Sequence, residues 1–180
     1  MQSPQEIVRA GLPRLLSRLW RYGLVLSRDE ATAEDLVQAA CVRAIERAEQ
    51  FRPGTRLDRW VFAILRSIWL NELRGRRIRQ GAGTVEAAEV LIYEGQRHLE
   101  QHILAGQVLT EVQRLPEVQR ETLFLVYVEG LSYQEAADAL QIPIGTVMSR
   151  LTAARAKLAH LGDVRELATG IGRGKHDAEP

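Results

Sequence analysis

Between Arg52 and Arg79 the chain carries eight arginines against two acids, Asp58 and Glu72. Within that run Arg59, Phe62, Arg66 and Trp69 recur at helical spacing and alternate a cation with an aromatic ring. The chemistry open to such a stripe is recognition rather than bond making. Guanidinium groups attract phosphates and an exposed ring stacks on an unpaired base, which suits single-stranded or melting DNA. The alternative for Phe62 and Trp69 is burial beneath neighbouring helices. A second set lies further along, where Thr146 opens a short amphipathic segment and Ser149, Arg150 and Arg155 fall on its outer side. Bond-making chemistry has no comparable support: there is no Gly-rich phosphate loop, no Ser-His-Asp or Cys-His set and no metal cluster. His98 and His102 have the spacing of a metal pair, but no carboxylate-and-histidine set surrounds them, and they read as a solvated helix start. Cys41, lone among alanines, reads as a small core residue.

The elements that must position these residues are helical. Residues 5–26 carry Ile7, Val8, Leu12, Leu15, Leu16, Leu19, Tyr22 and Leu26 at helical spacing, in one helix or in two divided at Pro13. Ser27 with Glu30, or Thr32 with Asp35, can cap a second helix, whose apolar face is Ala33, Leu36, Val37, Ala40, Cys41, Ala44, Ile45 and Ala48. A proline-glycine loop, Phe51 to Arg56, precedes a third helix, with Leu57, Trp60, Val61, Ile64, Leu65 and Ile68 inward. Residues 103–115 form another amphipathic helix, stopped by Pro116, and Glu117 to Glu129 a further one, capped by Gly130.

The stretch from Leu131 to Leu158 has the layout of a helix-turn-helix. Ser132 with Glu135 has capping-box spacing, and Pro143 breaks the helical period within Gln141 to Gly145. From Thr146 a second helix turns Val147, Leu151, Ala154 and Leu158 inward. A helix of about 14 residues spans roughly 20 Å, enough to lie in a major groove with its first half at the base edges.

The fold expected is all-α: two small helical domains, 1–79 and 103–164, the second containing the helix-turn-helix at 132–151. A flexible linker over 80–102 joins them, with a short docked segment at Val90 to Tyr93, and 165–180 reads as a mobile tail. Composition agrees, since 180 residues at 46% hydrophobic and 26% charged can bury a core. Net charge is only +1, yet 22 of the 24 basic residues are arginine, the side chain suited to phosphate forks. One cysteine excludes an internal disulfide, and no apolar run reaches bilayer length or forms a signal-peptide layout, so a cytoplasmic location is expected.

Three strings resemble the extracytoplasmic-function (ECF) sigma factors, the smallest class of bacterial RNA polymerase sigma subunit. TAEDLVQAACVRAIE, Thr32 to Glu46, is similar to the family's polymerase-binding helix; the resemblance implies that Asp35, Leu36, Gln38 and Arg43 face the polymerase clamp. LDRWVFAILRSIWLNELRGRR, Leu57 to Arg77, resembles the segment that melts and reads the downstream (−10) promoter element, with FRPGTR in the place of its base-recognition loop. It implies Arg52, Arg56, Arg59, Phe62, Arg66, Trp69 and Arg74 as contacts there. EGLSYQEAADALQIPIGTVMSRLTAARAKL looks like the reader of the upstream (−35) element, implying Thr146, Ser149, Arg150 and Arg155. The family often has basic residues where Met148 and Ala153 stand, asparagine and aspartate at Ser67 and Asn71, and glycine at Gln141.

The resemblance implies core RNA polymerase and promoter DNA as partners, an anti-sigma protein as a regulator, and no cofactor. Two alternatives make different use of the same residues: a sigma-like decoy that binds an anti-sigma factor without touching DNA, and a stand-alone regulator using only the helix-turn-helix.

Overall fold

The computed structural model describes residues 3–80 and 110–159, and every described element is helical. The chain divides into two compact units, Met1–Glu89 and Val90–Pro180. The linker and its Val90 to Tyr93 segment, the histidine pair, most of helix 103–115 and the tail lie outside the described residues.

The first unit is built on helices α1 (Pro4–Ser27), α2 (Glu30–Glu46) and α3 (Leu57–Gln80), each packed on the other two. Helix α1 opens on a capping box in which Ser3 Oγ accepts from Glu6 N and Glu6 Oε2 from Ser3 N. It is one helix; Pro13 lies inside it with its ring in solvent. Arg28 closes it in the left-handed region, φ 59°, and donates its N–H to Leu24 O. Neither pairing expected from the sequence caps α2. Its N-cap is Asp29, whose carboxylate accepts from both Thr32 N at 2.8 Å and Thr32 Oγ1 at 2.7 Å. The charge suits a helix N-terminus better than a hydroxyl does, and the Thr32 hydroxyl and amide hold the Asp29 carboxyl below its ordinary pKa. Ser27 instead bridges the turn, donating to Gly23 O and accepting from Asp29 N.

Helices α1 and α2 approach closely because small residues meet. A Cβ on Gly23 would stand 3.1 Å from the Cα and Cβ of Ala33. Ala33, Leu36, Ala40 and Ala44 form the buried side of α2. Leu36 is fully buried, which removes it from any partner-facing surface, while Ile45, expected inside, is 41% exposed and Cys41 is half-buried. Burial pushes the Cys41 thiol pKa up, the direction of an unreactive thiol.

Helix α3 buries Val61, Ile64, Leu65 and Ile68 as expected, and also Phe62 and Trp69. The reason is geometric. A helix lying against two others must be apolar over an arc wider than one stripe, and Phe62 and Trp69 fill the second edge of that arc. Phe62 meets the Tyr22 ring edge-on, centroids 5.2 Å apart. Trp60, expected in the core, is half-buried and covers the buried Phe51 at 5.4 Å.

In the second unit a helical turn at 110–114 ends at Leu115, and α4 (Glu117–Leu123) starts after Pro116. A π-helical turn, Phe124–Val128, follows directly. Glu129 N donates to Phe124 O and Leu131 N to Leu125 O, with Gly130 at φ 68° between them. The wider turn rotates the buried face relative to a continuous α-helix. Phe124 and Leu125 go inward, Val126 and Val128 become half-buried, and Val118 is 43% exposed.

Helices α5 (Tyr133–Leu140) and α6 (Ile144–Leu158) then form the helix-turn-helix, with α6 packed on α4 and α5. The Ser132/Glu135 capping box is present. Between the helices, Gln141 N donates to Asp138 O and Ile142 N to Ala137 O, the paired bonds of a Schellman motif. Gln141 takes the left-handed conformation, φ 54°. Helix α6 begins at Ile144, two residues before the expected Thr146, because Pro143 can occupy the cap position and its carbonyl accepts from Thr146 and Val147. Gln141→Gly relieves the left-handed strain at an exposed site that makes the motif's bonds through its backbone. It is expected to raise stability by roughly 0.5–1 kcal/mol in thermal unfolding.

Candidate nucleic-acid interface

Three surfaces carry the residues that the sequence singles out. On α2, Asp35, Gln38 and Arg43 line one shallow depression together with Ala39, Val42 and Glu46. The i, i+3, i+4 spacing of these residues makes this one face of the helix, and Val42, 51% exposed, puts an apolar contact in its middle. Sequence reasoning missed Val42, although its helical spacing from Gln38 could have found it. Leu36 lies on the opposite, buried side.

The second surface is the loop before α3 and the exposed side of that helix. Gly54 turns the loop at φ 87°, and Thr55 bonds Arg52 O through both its amide and its hydroxyl. Arg52 and Arg74 are exposed and Arg59 and Arg66 half-buried. Arg56 is differently placed. Its Nε donates to Asp58 Oδ1 at 3.1 Å and its Nη2 to Asp58 Oδ2 at 2.6 Å, a two-pronged pair that ties the loop to the first turn of α3. Arg18 of α1 donates to the same carboxylate at 3.0 Å and lies over the Phe62 ring, 5.4 Å from its centroid. Burial raises the Asp58 pKa, but hydrogen bonds from Arg56 and Arg18 outweigh it and hold the carboxyl at about 2. Sequence reading placed Arg56 among the DNA contacts and gave Asp58 no role; a buried acid two residues from an arginine carries no local signal of its burial.

Phe62 and Trp69 do not stack on bases in this fold. They are 1% and 5% exposed, so neither ring presents a face to a base, and Arg76 lies over the Trp69 ring at 5.6 Å. What remains of the stripe on α3 is basic.

The third surface is α6. Val147, Leu151, Ala154 and Leu158 are buried, as the period requires. Ser149 is exposed, its hydroxyl bonded to Thr146 O, while Thr146, Arg150 and Arg155 are half-buried. Arg155 Nε reaches back to Leu151 O at 3.3 Å, which leans its stem along the helix. Lys157 and Met148, not counted among the contacts from sequence, are exposed, and α6 contains no acidic residue. A helix with a buried apolar side and a basic outer side, preceded by a capped short helix and a tight turn, has the form of a recognition helix.

These two helical units define the class of protein. Residues 7–78 match the family model Sigma-70 region 2, and residues 105–158 match Sigma-70, region 4. The ECF RNA polymerase sigma factor EcfG of Rhodopseudomonas palustris is 32% identical over 159 residues, covering 88% of this chain and 84% of that protein. The ECF sigma factor SigC of Mycobacterium tuberculosis is 35% identical over 145 residues, 81% of this chain and 76% of its own. Among solved structures, the sigma factor RpoE in complex with the anti-sigma factor NepR, from Bartonella quintana, superposes with a TM-score of 0.70 at 29% identity, covering 85% of this chain and 94% of that one. The chain belongs to the ECF sigma factors of RNA polymerase. It is therefore a promoter-specificity subunit, directing the polymerase to promoters and contributing region 2 and region 4 modules to that task.

Proposed function

We propose that the two units divide the work as follows. Residues 1–79 dock on core polymerase through the α2 face of Asp35, Gln38, Val42 and Arg43, and use Arg52, Arg59, Arg66 and Arg74 at the downstream element during strand opening. Residues 103–164 hold the upstream element through α6, with Thr146, Ser149, Arg150 and Arg155 on the DNA side. The observation that carries this reading is the arrangement of α6, whose inner face is fully buried while its outer side carries Ser149, Thr152 and Lys157, with Arg150 and Arg155 half-buried and no acid. Phosphate contacts by arginine position such a helix, and side chains in its first half reach base edges.

The set of promoters is stress- or signal-responsive, and an anti-sigma protein restrains the free subunit; support comes from the RpoE relative, whose structure holds NepR. The subunit performs no bond-making step of its own, and its place of work is the cytoplasm. Among the described residues no helix is long and apolar enough to cross a membrane.

Arg150→Ala with Arg155→Ala is expected to reduce promoter-directed transcription at least tenfold while core binding is kept. Gln38→Ala with Arg43→Ala should give the converse, weak core binding by a stably folded chain. Reconstituted transcription and pull-down of core polymerase read the two arms. Unchanged transcription in the first pair removes α6 as the upstream reader.

A further inference from the structure

One edge of α6 is apolar where a DNA-facing helix is expected to be polar. Ile144 is 39% exposed and Met148 47% exposed, and four residues' separation stacks them one turn apart, roughly 6 Å between their Cβ atoms. Gly145 lies beside them and has no packing reason to be glycine. A Cβ built there meets no atom within 4 Å, and its φ is not in the left-handed region. Glycine costs up to about 1 kcal/mol against alanine in a helix interior and less in the first turn, where Gly145 stands. A position that keeps it without need from its own fold leaves room for something outside to come close to the backbone.

The occupant must meet both an apolar pair and its surroundings. Those surroundings are the exposed Ser149 and, two turns further along the same edge, Arg155, with no acid on the helix. A polyanion with a small apolar group on its surface satisfies both conditions. In the major groove of B-DNA, the thymine C5-methyl is the one apolar group among the base edges. The unbranched Met148 thioether adapts to where that methyl stands, and Ile144 offers a fixed branched surface beside it.

We propose that Ile144 and Met148 are specificity-determining residues that read thymine methyl groups in the upstream promoter element, with Gly145 admitting the DNA edge to the helix backbone. This rests on the assignment of α6 as the upstream reader. The pair supplies by apolar contact the base discrimination that a basic residue at Met148 would supply by hydrogen bonding. It predicts that A·T pairs face the first turn of α6, whichever strand carries the thymine.

The test uses the holoenzyme reconstituted with the full chain, on a promoter duplex defined by mapping transcript starts. Thymines of the upstream element are replaced by deoxyuridine, which deletes the methyl and keeps every hydrogen-bonding group. Wild-type binding is expected to weaken about fourfold for each contacted methyl, the equivalent of burying one methyl group. The variant Ile144→Ala with Met148→Ala should bind the thymine duplex more weakly and lose its response to deoxyuridine. Both sites are surface positions, and an unchanged thermal transition shows that the variant is folded. Wild-type holoenzyme that protects the upstream element equally well with deoxyuridine overturns the proposal while leaving α6 as the reader. Holoenzyme that protects no upstream element overturns the α6 assignment itself. A double variant that keeps its deoxyuridine response but no longer binds an anti-sigma protein overturns the proposal in favour of a protein partner on this edge.

Discussion

Asp58→Asn is expected to destabilise the first unit by about 1–2 kcal/mol at neutral pH and to flatten its loss of stability in acid. Asp58 is 8% exposed and accepts from Arg18, from both prongs of Arg56 and from the Arg59 amide. An asparagine keeps one acceptor oxygen but removes the charge that balances two arginines, and stranding a partly buried cation is costly. The pKa gives an independent figure. A carboxyl lowered from 3.8 to about 2 stabilises the fold above its unfolded pKa and loses that contribution as pH falls from about 4 towards 2. The full shift would correspond to roughly 2 kcal/mol. Arg18 and Arg56 are 28% and 44% exposed, so solvent screening reduces this to about 1–1.5 kcal/mol. Amide hydrogen exchange in α3, followed between pH 7 and acid unfolding, isolates this unit from the other. Equal acid sensitivity in the wild type and D58N would show that the carboxylate is not the source. Arg56 anchors the loop through this carboxylate, so D58N should also blunt discrimination at the downstream element in reconstituted transcription while upstream protection persists.

The contrast between Arg56 and the helix-turn-helix shows what local sequence can carry. Ser132 and Glu135, Pro143, and the period Val147, Leu151, Ala154, Leu158 each act within a few residues of where they stand, and the structure has them in those roles. The domain fold was similarly legible because amphipathic helices announce one buried stripe. The second stripe on α3 was not, since Phe62 and Trp69 have the same helical spacing whether they face solvent or a third helix. Burial of Leu36, by contrast, was legible in its period, which sets it on the apolar face of α2. A resemblance placed it in a functional string, but its neighbours Ala33 and Ala40 put it on the side that meets α1 and α3. The π-helical turn at Phe124–Val128 has no period of its own to detect. It shifts the register by one residue and thereby changes which side chains are core. Buried charge is the other blind spot, because the prior for Asp, Glu and Arg is solvent. Asp58, Arg120, Glu121 and Glu129 all depart from it.

Arg120 carries the largest consequence of that departure. It is 3% exposed, and its Nη1 donates to Leu115 O at 3.0 Å and to Gln113 O at 3.5 Å. These are carbonyls at the end of the preceding helix, which has no further turn to satisfy them. Arg120 therefore caps that helix from inside the unit and holds α4 against it. Arg120→Met keeps the stem and removes the donors, leaving buried carbonyls without that partner; the expected loss is about 3 kcal/mol. Arg120→Lys retains one charged donor and should lose about half as much. Because α4 packs on α6, either change lowers upstream promoter protection, and so superficially resembles loss of a DNA contact. Temperature and osmolyte separate the two. A folding defect is relieved by cooling towards the stability maximum or by adding an excluded osmolyte such as TMAO, so protection by R120M holoenzyme should recover under those conditions. On the proposed role of α6, protection by the Arg150→Ala, Arg155→Ala variant should not recover, because what it lacks is a DNA contact, and an unchanged thermal transition is the control for its fold. Failure of R120M to recover would mean that Arg120 reaches the promoter or the polymerase directly, in conflict with its burial.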